Sequence, residues 1–405
     1  MIGLGRTMPP RAAAAAGPAC RVVVWFRGAD LRVDDNPALA DAARRVRVGE
    51  ASEVVPVFCY DPRWFKETRW ATGHGKTGNH RSQFLLESVA ALKAGLRAVG
   101  SDLVVAAGAP EAVLPALAAG GPVLAAAEAA PEERGAEAAV SAALTAGGGA
   151  GKLVLFWMST LYHLDDLPYS TADLSDMPDG FTAFKNKVEA KVEPRAPLPP
   201  PAAGALPPPR ALAGVDPAWC PTTLAELAAA VTPGGPLARA PPLPRDARAA
   251  LDFRGGEPAA LARLRYYLWD TDLVATYFDT RNEMLGGDGS TKFAPWLSHG
   301  CLSPRRIAAE VRRYEAARGG NKSTYWVIFE LTWRDFFRFQ ALKHGGALFA
   351  AGGPAGAVKA WAAAPALLAR WREGRTGWPL VDANMRELAA TVRLFLYILH
   401  LHLRI

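Results

Sequence analysis

Residues 21–45 read RVVVWFRGADLRVDDNPALADAARR, and this stretch decides the fold class. Arg21 to Phe26 is a short β-branched apolar run without polar alternation, the pattern of a strand buried on both faces. Behind it, Asp34, Asp35 and Asn36 offer a helix N-cap, Pro37 suits a first helical turn, and ALADAARR is a good helix former. The unit is a strand followed by a helix. It repeats: Glu53 to Tyr60 (EVVPVFCY), Leu103 to Ala106, Val123 to Ala126 and Lys152 to Phe156 are further apolar runs with helical segments between them. Over Asn79 to Val99 the spacing of Phe84, Leu85, Val89, Leu92 and Leu96 predicts an amphipathic helix. Strands alternating with helices imply an α/β domain over residues 21–170, a doubly wound parallel sheet covered on both faces. No GxGxxG follows the first strand, which disfavours ordinary NAD binding.

Outward from this unit the composition changes twice. Residues 171–246 read as a connector, and EPRAPLPPPAAGALPPPR favours extended polyproline conformations, a linker that joins rather than packs. From Ala247 to Thr391 the pattern is helical. ALARLRYYLWD, PRRIAAEVRRYEAA, YWVIFELTWRDFFRFQALKH and PLVDANMRELAATVRLF each place apolar residues three and four apart, which predicts an all-α second domain.

With 405 residues, 50% hydrophobic and 21% charged, the chain has enough apolar material for two cores and is too apolar for wholesale disorder. The net charge of +7 is compatible with a polyanionic partner without proving one. Cys20, Cys59, Cys220 and Cys301 lie far apart with no CxxC pairing, which favours a reducing compartment over a zinc site or a disulfide framework. No window reaches the roughly 18–20 apolar residues of a spanning helix, so no membrane partner is expected. Residues 1–20 carry Arg6, Arg11, an alanine run and no acid, a composition shared by transit peptides and low-complexity leaders. A chloroplast or mitochondrial address is one reading of that leader; the cytoplasm or nucleus is the other.

Two segments carry candidate chemistry. Tyr325 to Phe339 interleaves seven aromatic residues with Glu330, Arg334, Asp335 and Arg338, and on a helix Glu330, Trp333 and Arg334 share a side. An acid, a base and a flat ring so placed suit a planar heterocycle; a core helix with an ordinary Glu330–Arg334 pair is the plainer alternative. Gly286 to Arg305, GGDGSTKFAPWLSHGCLSPR, places the Ser290 and Thr291 hydroxyls and the Lys292 ammonium after glycines, a donor set for phosphate, although no Walker A motif is present. There is no HExxH and no GxSxG.

In combination these segments change the odds, because WFRGADLRVDDNPAL (Trp25–Leu39) resembles the opening signature of the photolyase/cryptochrome family. KTGNHRSQFLLESVAALKAGLRAVGSDLVVAAGAPEAVL, STLYHLDDLPY, FTAFKNKVE, TRNEMLGGDGSTKFAPWLSHGCLSPR, FELTWRDFFRF and GRTGWPLVDANMREL are similar specifically to the DASH cryptochromes. The resemblance covers roughly residues 21–391. It implies an antenna domain, a connector and, over 247–391, part of a helical domain that binds FAD non-covalently. Tyr277 and the run Ser290, Thr291, Lys292, Phe293, Ala294 match the segment holding the flavin diphosphate and ribityl chain. Glu330, Trp333 and Arg334 match the helix facing the flavin and a DNA lesion, with Glu330 and Trp333 in the catalytic places. The implied reaction is blue-light repair of cyclobutane pyrimidine dimers, preferentially in single-stranded DNA, where an unstacked lesion is cheaper to flip. Trp333 would stack on the flipped dimer; Arg334, Arg305 and Arg306 would contact DNA phosphates. Glu87 falls where DASH members hold a folate antenna, 5,10-methenyltetrahydrofolate, a solvated helix-face glutamate being the alternative. Trp361 takes the outermost place of the family's electron-transfer relay, and a monomer is expected.

The sequence departs from the family in three places. Gly289 stands where relatives usually have an aromatic residue, and the WFRGADLR loop is one residue longer. After Thr391 the family's segment with further flavin-facing polar residues and relay tryptophans gives way to VRLFLYILHLHLRI, residues 392–405. The simplest account of that tail is a retained intron, a frameshift or an incomplete gene model, and impaired FAD binding is the expectation that follows. A DASH-type photolyase is the first functional reading. A blue-light receptor or nucleic-acid-binding protein without repair is the second, and an inactive truncated product the third.

Overall fold

The computed structural model describes residues 21–391 except 69–70, 147–148, 210–211, 213–215, 217, 236, 239–250, 284–285 and 358–363. Trp361, the leader 1–20 and the tail 392–405 therefore lie outside the described residues. The first strand, β1 (Arg21–Phe26), is central in a five-stranded sheet. Its neighbours are β2 (Glu53–Tyr60) and β6 (Val123–Ala126), with β5 (Val104–Ala107) and β7 (Leu153–Phe156) outside them, all parallel. The order is β5-β2-β1-β6-β7, as the alternation of strand and helix predicts. A separate antiparallel ribbon pairs β3 (Glu67–Thr68) with β4 (Ala71–Gly75).

The unbroken apolar run of β1 has a simple cause. Val23 and Trp25 pack into the core on one face of the sheet, while Val22, Val24 and Phe26 enter the core on the other. Beyond the sheet the second core continues without a break into the helical half, through Tyr267, Tyr277, Trp296, Phe336 and Phe339. The helix after β1, α1 (Pro37–Arg47), starts as its sequence dictates: the Asn36 side chain accepts from the Ala38 and Leu39 amides at 3.1 and 3.2 Å. The second helix, α2 (Asn79–Ala98), buries Phe84, Leu85, Val89, Leu92 and Leu96.

Open parallel sheets bind ligands at the strand C-termini where the order reverses, which here is between β1 and β6. Arg27, just past β1, bridges that point. Its guanidinium donates to the carbonyls of Ala126 (3.1 Å) and Glu133 (2.7 Å) and pairs with Glu137, on the helix α4 (Pro131–Thr145) that lies between β6 and β7. The ends of these strands are thus tied to one another by protein groups, and the chemistry has to be sought in the helical half.

The proline-rich stretch corrects the sequence expectation, because it packs. Leu206 is completely buried, the Pro207 carbonyl accepts from the Val54 amide of β2 at 2.8 Å, and Gly204 donates to the Val99 carbonyl at 3.0 Å. The cause is the shortness of β5, which pairs with β2 only from Val57 onward. Val54 would otherwise lack a partner on that edge, and an extended proline segment can present a carbonyl without needing to donate.

The helical half comprises α7 (Glu257–Arg265), α8 (Tyr277–Thr280), α9 (Ala294–Ser298), α10 (Pro304–Arg318), α11 (Lys322–His344), α12 (Pro365–Arg372) and α13 (Pro379–Thr391). It docks on the α/β half so closely that Gly300, at φ +64°, has no room for a side chain: a Cβ there would meet the Ala29 carbonyl at 1.9 Å. His299 lies in the same seam, its ring 5.3 Å from that of Phe84 and facing the Gly28 carbonyl and Arg81. Burial lowers its pKa to about 4. No helix among the described residues is long and apolar enough to cross a membrane.

Two outcomes follow from this packing. Leu206→Ala should lower the unfolding free energy in urea by about 2–5 kcal/mol, whereas a true linker residue would change nothing. For His299 the folded pKa lies below the unfolded one, so its neutral form stabilises the fold above about pH 6.5 and that contribution is lost as pH falls toward 4. Relative to His299→Leu, the wild-type chain should lose up to about 3 kcal/mol across that window in denaturant melts.

Candidate functional site

The site is built on α11. Its first turn carries a capping box in which the Asn321 side chain accepts from the Ser323 and Thr324 amides (2.8 and 3.0 Å) while the Thr324 hydroxyl accepts from the Asn321 amide (3.0 Å). Ser323 Oγ also accepts from the Phe278 amide at 3.0 Å, which fixes α8 against the start of α11. That contact brings Tyr277, at the head of α8, toward the side of α11 that carries Glu330 on its third turn. Burial first, and then the Glu330 carboxylate, raise the Tyr277 phenol above the ordinary tyrosine range, while a bond with the Thr291 side chain opposes the shift. Tyr277 therefore lies against Thr291 and within electrostatic reach of Glu330, 53 positions further along the chain.

The phosphate-type loop is held from behind by α7. Arg263, nearly buried, donates to Asp288 Oδ1 (2.9 Å) and to the carbonyls of Gly287 (3.1 Å), Ser290 (3.2 Å) and Thr291 (3.1 Å). Tyr266 donates to Asp288 Oδ2 at 3.0 Å. Ser290, Thr291 and Lys292 stay half-exposed in front, and Phe293 is buried against Tyr267 as the chain enters α9 at Ala294. Two hydroxyls, an ammonium and a neutral phenol form a donor set that fits a diphosphate-bearing cofactor. Gly289 also has a local reason: a Cβ there would press on Glu283 Oε2 at 2.9 Å and the Thr280 carbonyl at 3.0 Å.

Along α11, Glu330 is exposed and accepts from Trp326 Nε1 at 3.1 Å. The indole of Trp326 meets Phe278 edge-on at 4.7 Å, and the Arg281 guanidinium lies 4.1 Å from the Phe278 ring centre and 4.7 Å from that of Trp326. Lys322 covers Phe278 at 3.5 Å. One turn beyond Glu330, Trp333 is half-buried and Phe337 is 57% exposed, their rings stacked at 5.6 Å. An aromatic stripe with cations at one end thus runs along a single face of α11.

Several of the expected roles change. The Trp333 ring has one face covered by Phe181, stacked at 3.5 Å and 10°, because Phe181 begins the helix α5 (Phe181–Glu189) that packs on α11. Arg334 neither pairs with Glu330 nor projects toward phosphate. It donates to the carbonyls of Ser159 and of Leu297 (3.1 Å), and burial of the guanidinium lowers its pKa to about 10. Arg305 and Arg306 are likewise engaged within the protein. Arg305 forms a two-point pair with fully buried Asp35 (2.7 and 2.9 Å), and Arg306 one with Asp34 (2.5 and 2.7 Å). Both pairs join α10 to the β1–α1 loop. Glu87, half-buried on α2, accepts from the Gly255 amide at 2.7 Å and lies 3.8 Å from Arg254, in the seam between the two halves. Sequence reasoning missed Arg263, Arg281 and Asp335. Asp335 is fully buried and accepts from the Leu161 and Tyr162 amides at 3.0 and 2.8 Å; an acid inside the aromatic run TWRDFF was the available signal.

Comparisons with known proteins give the family. A family profile described as DNA photolyase matches residues 22–202, and one described as the FAD binding domain of DNA photolyase matches residues 326–395, four residues past Thr391. The chain is 47% identical over 382 residues to "Cryptochrome DASH, chloroplastic/mitochondrial" of Ostreococcus tauri, covering 92% of this chain and 69% of the relative. With the Arabidopsis thaliana protein of the same name it is 41% identical, covering 91% of this chain and 60% of the relative. A crystal structure of a Synechocystis sp. PCC6803 cryptochrome superposes with a TM-score of 0.81 at 40% identity, over 94% of this chain and 73% of that one. The chain belongs to the photolyase/cryptochrome family, among the DASH cryptochromes, and carries that family's FAD-binding domain.

The ion pairs yield an outcome that separates their two readings. Asp35→Ala should cost about 3–5 kcal/mol in urea unfolding, since it strands the buried Arg305 charge. An Arg305 serving DNA alone would leave stability unchanged.

Proposed function

We propose that this chain is a blue-light-dependent flavoprotein that repairs cyclobutane pyrimidine dimers, preferentially in single-stranded DNA. The observation that carries the reading is the half-exposed Ser290–Lys292 loop, held from behind by Arg263, in the same helical half as the aromatic stripe of α11. When bound, reduced FAD supplies the photoexcited electron that opens the cyclobutane ring and takes it back afterwards. The chain's own residues do the rest. Ser290, Thr291 and Lys292, with the neutral Tyr277 phenol, hold the diphosphate and ribityl side of the cofactor, with Phe293 and Ala294 closing the segment. Glu330 hydrogen-bonds the pyrimidine edge, and the free part of the Trp333 ring takes the flipped base, a contact worth roughly 1–3 kcal/mol in comparable sites. Arg281 and Lys322, rather than Arg305, Arg306 or Arg334, supply positive charge at the end of the stripe. Preference for a single strand follows because unpairing is already done before the base leaves the stack.

Residues 1–405 hold FAD weakly in this reading. The described cofactor contacts come from two segments, and Leu367, Leu368, Trp371 and Trp378 on and beside α12 and α13 remain exposed, the last at 73%. Glu87 in the interdomain seam is assigned to a folate-type antenna, and Trp361 to the outer end of an electron relay, on resemblance. A chloroplast or mitochondrial location is supported by the names of the algal and plant relatives. The protein acts as a monomer.

The test is dimer loss from irradiated oligo-dT under blue light, with FAD in excess. Repair should be faster on the single strand than on the duplex, and with FAD saturating Glu330→Gln should slow it roughly tenfold or more. Light-driven flavin chemistry without dimer loss would favour a photoreceptor instead.

A further inference from the structure

We propose that Arg263 is a positioning residue that shapes residues 287–292 into a preformed anion cradle; this rests on the flavin reading above and names what makes its phosphate side. Arg263 lies on α7, outside both segments that carry the candidate cofactor residues, and its guanidinium makes four hydrogen bonds to one loop. Its three nitrogens reach one carboxylate and three backbone carbonyls, those of Gly287, Ser290 and Thr291. In a trans peptide the carbonyl of one residue and the amide N–H of the next point in opposite directions. Turning these three carbonyls toward α7 therefore turns the N–H groups of Asp288, Thr291 and Lys292 to the other, half-exposed side. Lys292 adopts φ +58°, a left-handed conformation that a non-glycine residue takes only when its surroundings impose it. The adjacent N–H groups of Thr291 and Lys292 flank this left-handed turn, the kind of backbone arrangement that suits an anion.

The loop would otherwise have to be ordered by the ligand. Its glycines at 286, 287 and 289 make it costly to fix, and Gly286 itself sits at φ +82°. A lysine at position 263 would keep the charge but could not reach four acceptors in a fixed fork. Asp288, held by both Arg263 and Tyr266, fixes the loop's near end, and the fork fixes its far end.

Equilibrium titrations of FAD and of riboflavin, followed by quenching of flavin fluorescence, separate this role from a general structural one. Arg263→Gln and Arg263→Lys should both weaken FAD roughly 10- to 100-fold, weaken riboflavin, which lacks the phosphates, by no more than about twofold, and retain the wild-type melting temperature within a few degrees. Hydrogen exchange in the flavin-free protein should quicken at 287–292 in both variants. Equal FAD affinity in wild type and variants, or equal loss for FAD and riboflavin, overturns the inference while leaving the flavin reading intact. Full rescue by lysine overturns it as well. A wild-type chain that binds no FAD at millimolar concentration defeats the flavin reading and this inference together.

Discussion

Asp35 has no solvent exposure, and with its neighbour Arg32 it joins four separate parts of the chain. Its carboxylate receives two bonds from Arg305, one from Ser303 and one from the Leu198 amide, and its own amide donates to the Leu198 carbonyl at 3.0 Å. Its carbonyl accepts from fully buried Arg32, which also reaches the carbonyls of Gly300 and Met158. One residue in the loop after the first strand thus ties the α/β half to the proline-rich segment, to the start of α10 and to the loop after β7. A carboxylate so deep is tolerable only because every lone pair is used. The site depends on it indirectly: α9, the turn at Gly300 and α10 follow the cofactor loop in sequence, so the position of residues 287–294 relative to α11 is set by that docking.

A second tie comes from α11 itself. Arg334 and Asp335, adjacent in sequence, hold three residues of the segment after β7: Ser159 by its carbonyl, Leu161 and Tyr162 by their amides. The helix that presents Glu330 and Trp333 outward is therefore pinned on its inner side. Rigidity of this kind is what a site needs when its action is to place a flat group against a ring within a few tenths of an ångström.

Much of this was legible in the sequence. The run VVVWF after Arg21 announced a strand buried on both faces because none of its five side chains is charged or strongly polar, and the Asn36–Pro37 start of α1 followed from capping chemistry. The loop GGDGSTKFAP and the helix bearing FELTWRDFF were visible as candidate chemistry before any fold was known. The arginines failed for a physical reason: a charged side chain looks the same in sequence whether its partner is solvent, a ligand or a residue 270 positions away, as for Arg305 and Asp35. Arg305, Arg306 and Arg334 were expected at phosphate and are spent on the protein's own groups. Arg263 drew no notice inside ALARLRYYLWD, because its four acceptors are mostly backbone carbonyls, which carry no residue identity. The proline-rich segment misled in the opposite sense, since composition reveals that it is extended but not that a short neighbouring strand leaves an edge for it to cover.

The account places cofactor and lesion on the helical half, around 277–294 and 326–337, and not at the end of the parallel sheet, where Arg27 ties β1 to β6 and α4. Hydrogen-exchange protection on adding FAD and then a dimer-containing single strand measures that directly. Protection should fall on 277–294 with FAD and extend along 326–337 with the oligonucleotide. Protection concentrated instead at residues 27–30 and 126–137 would contradict it.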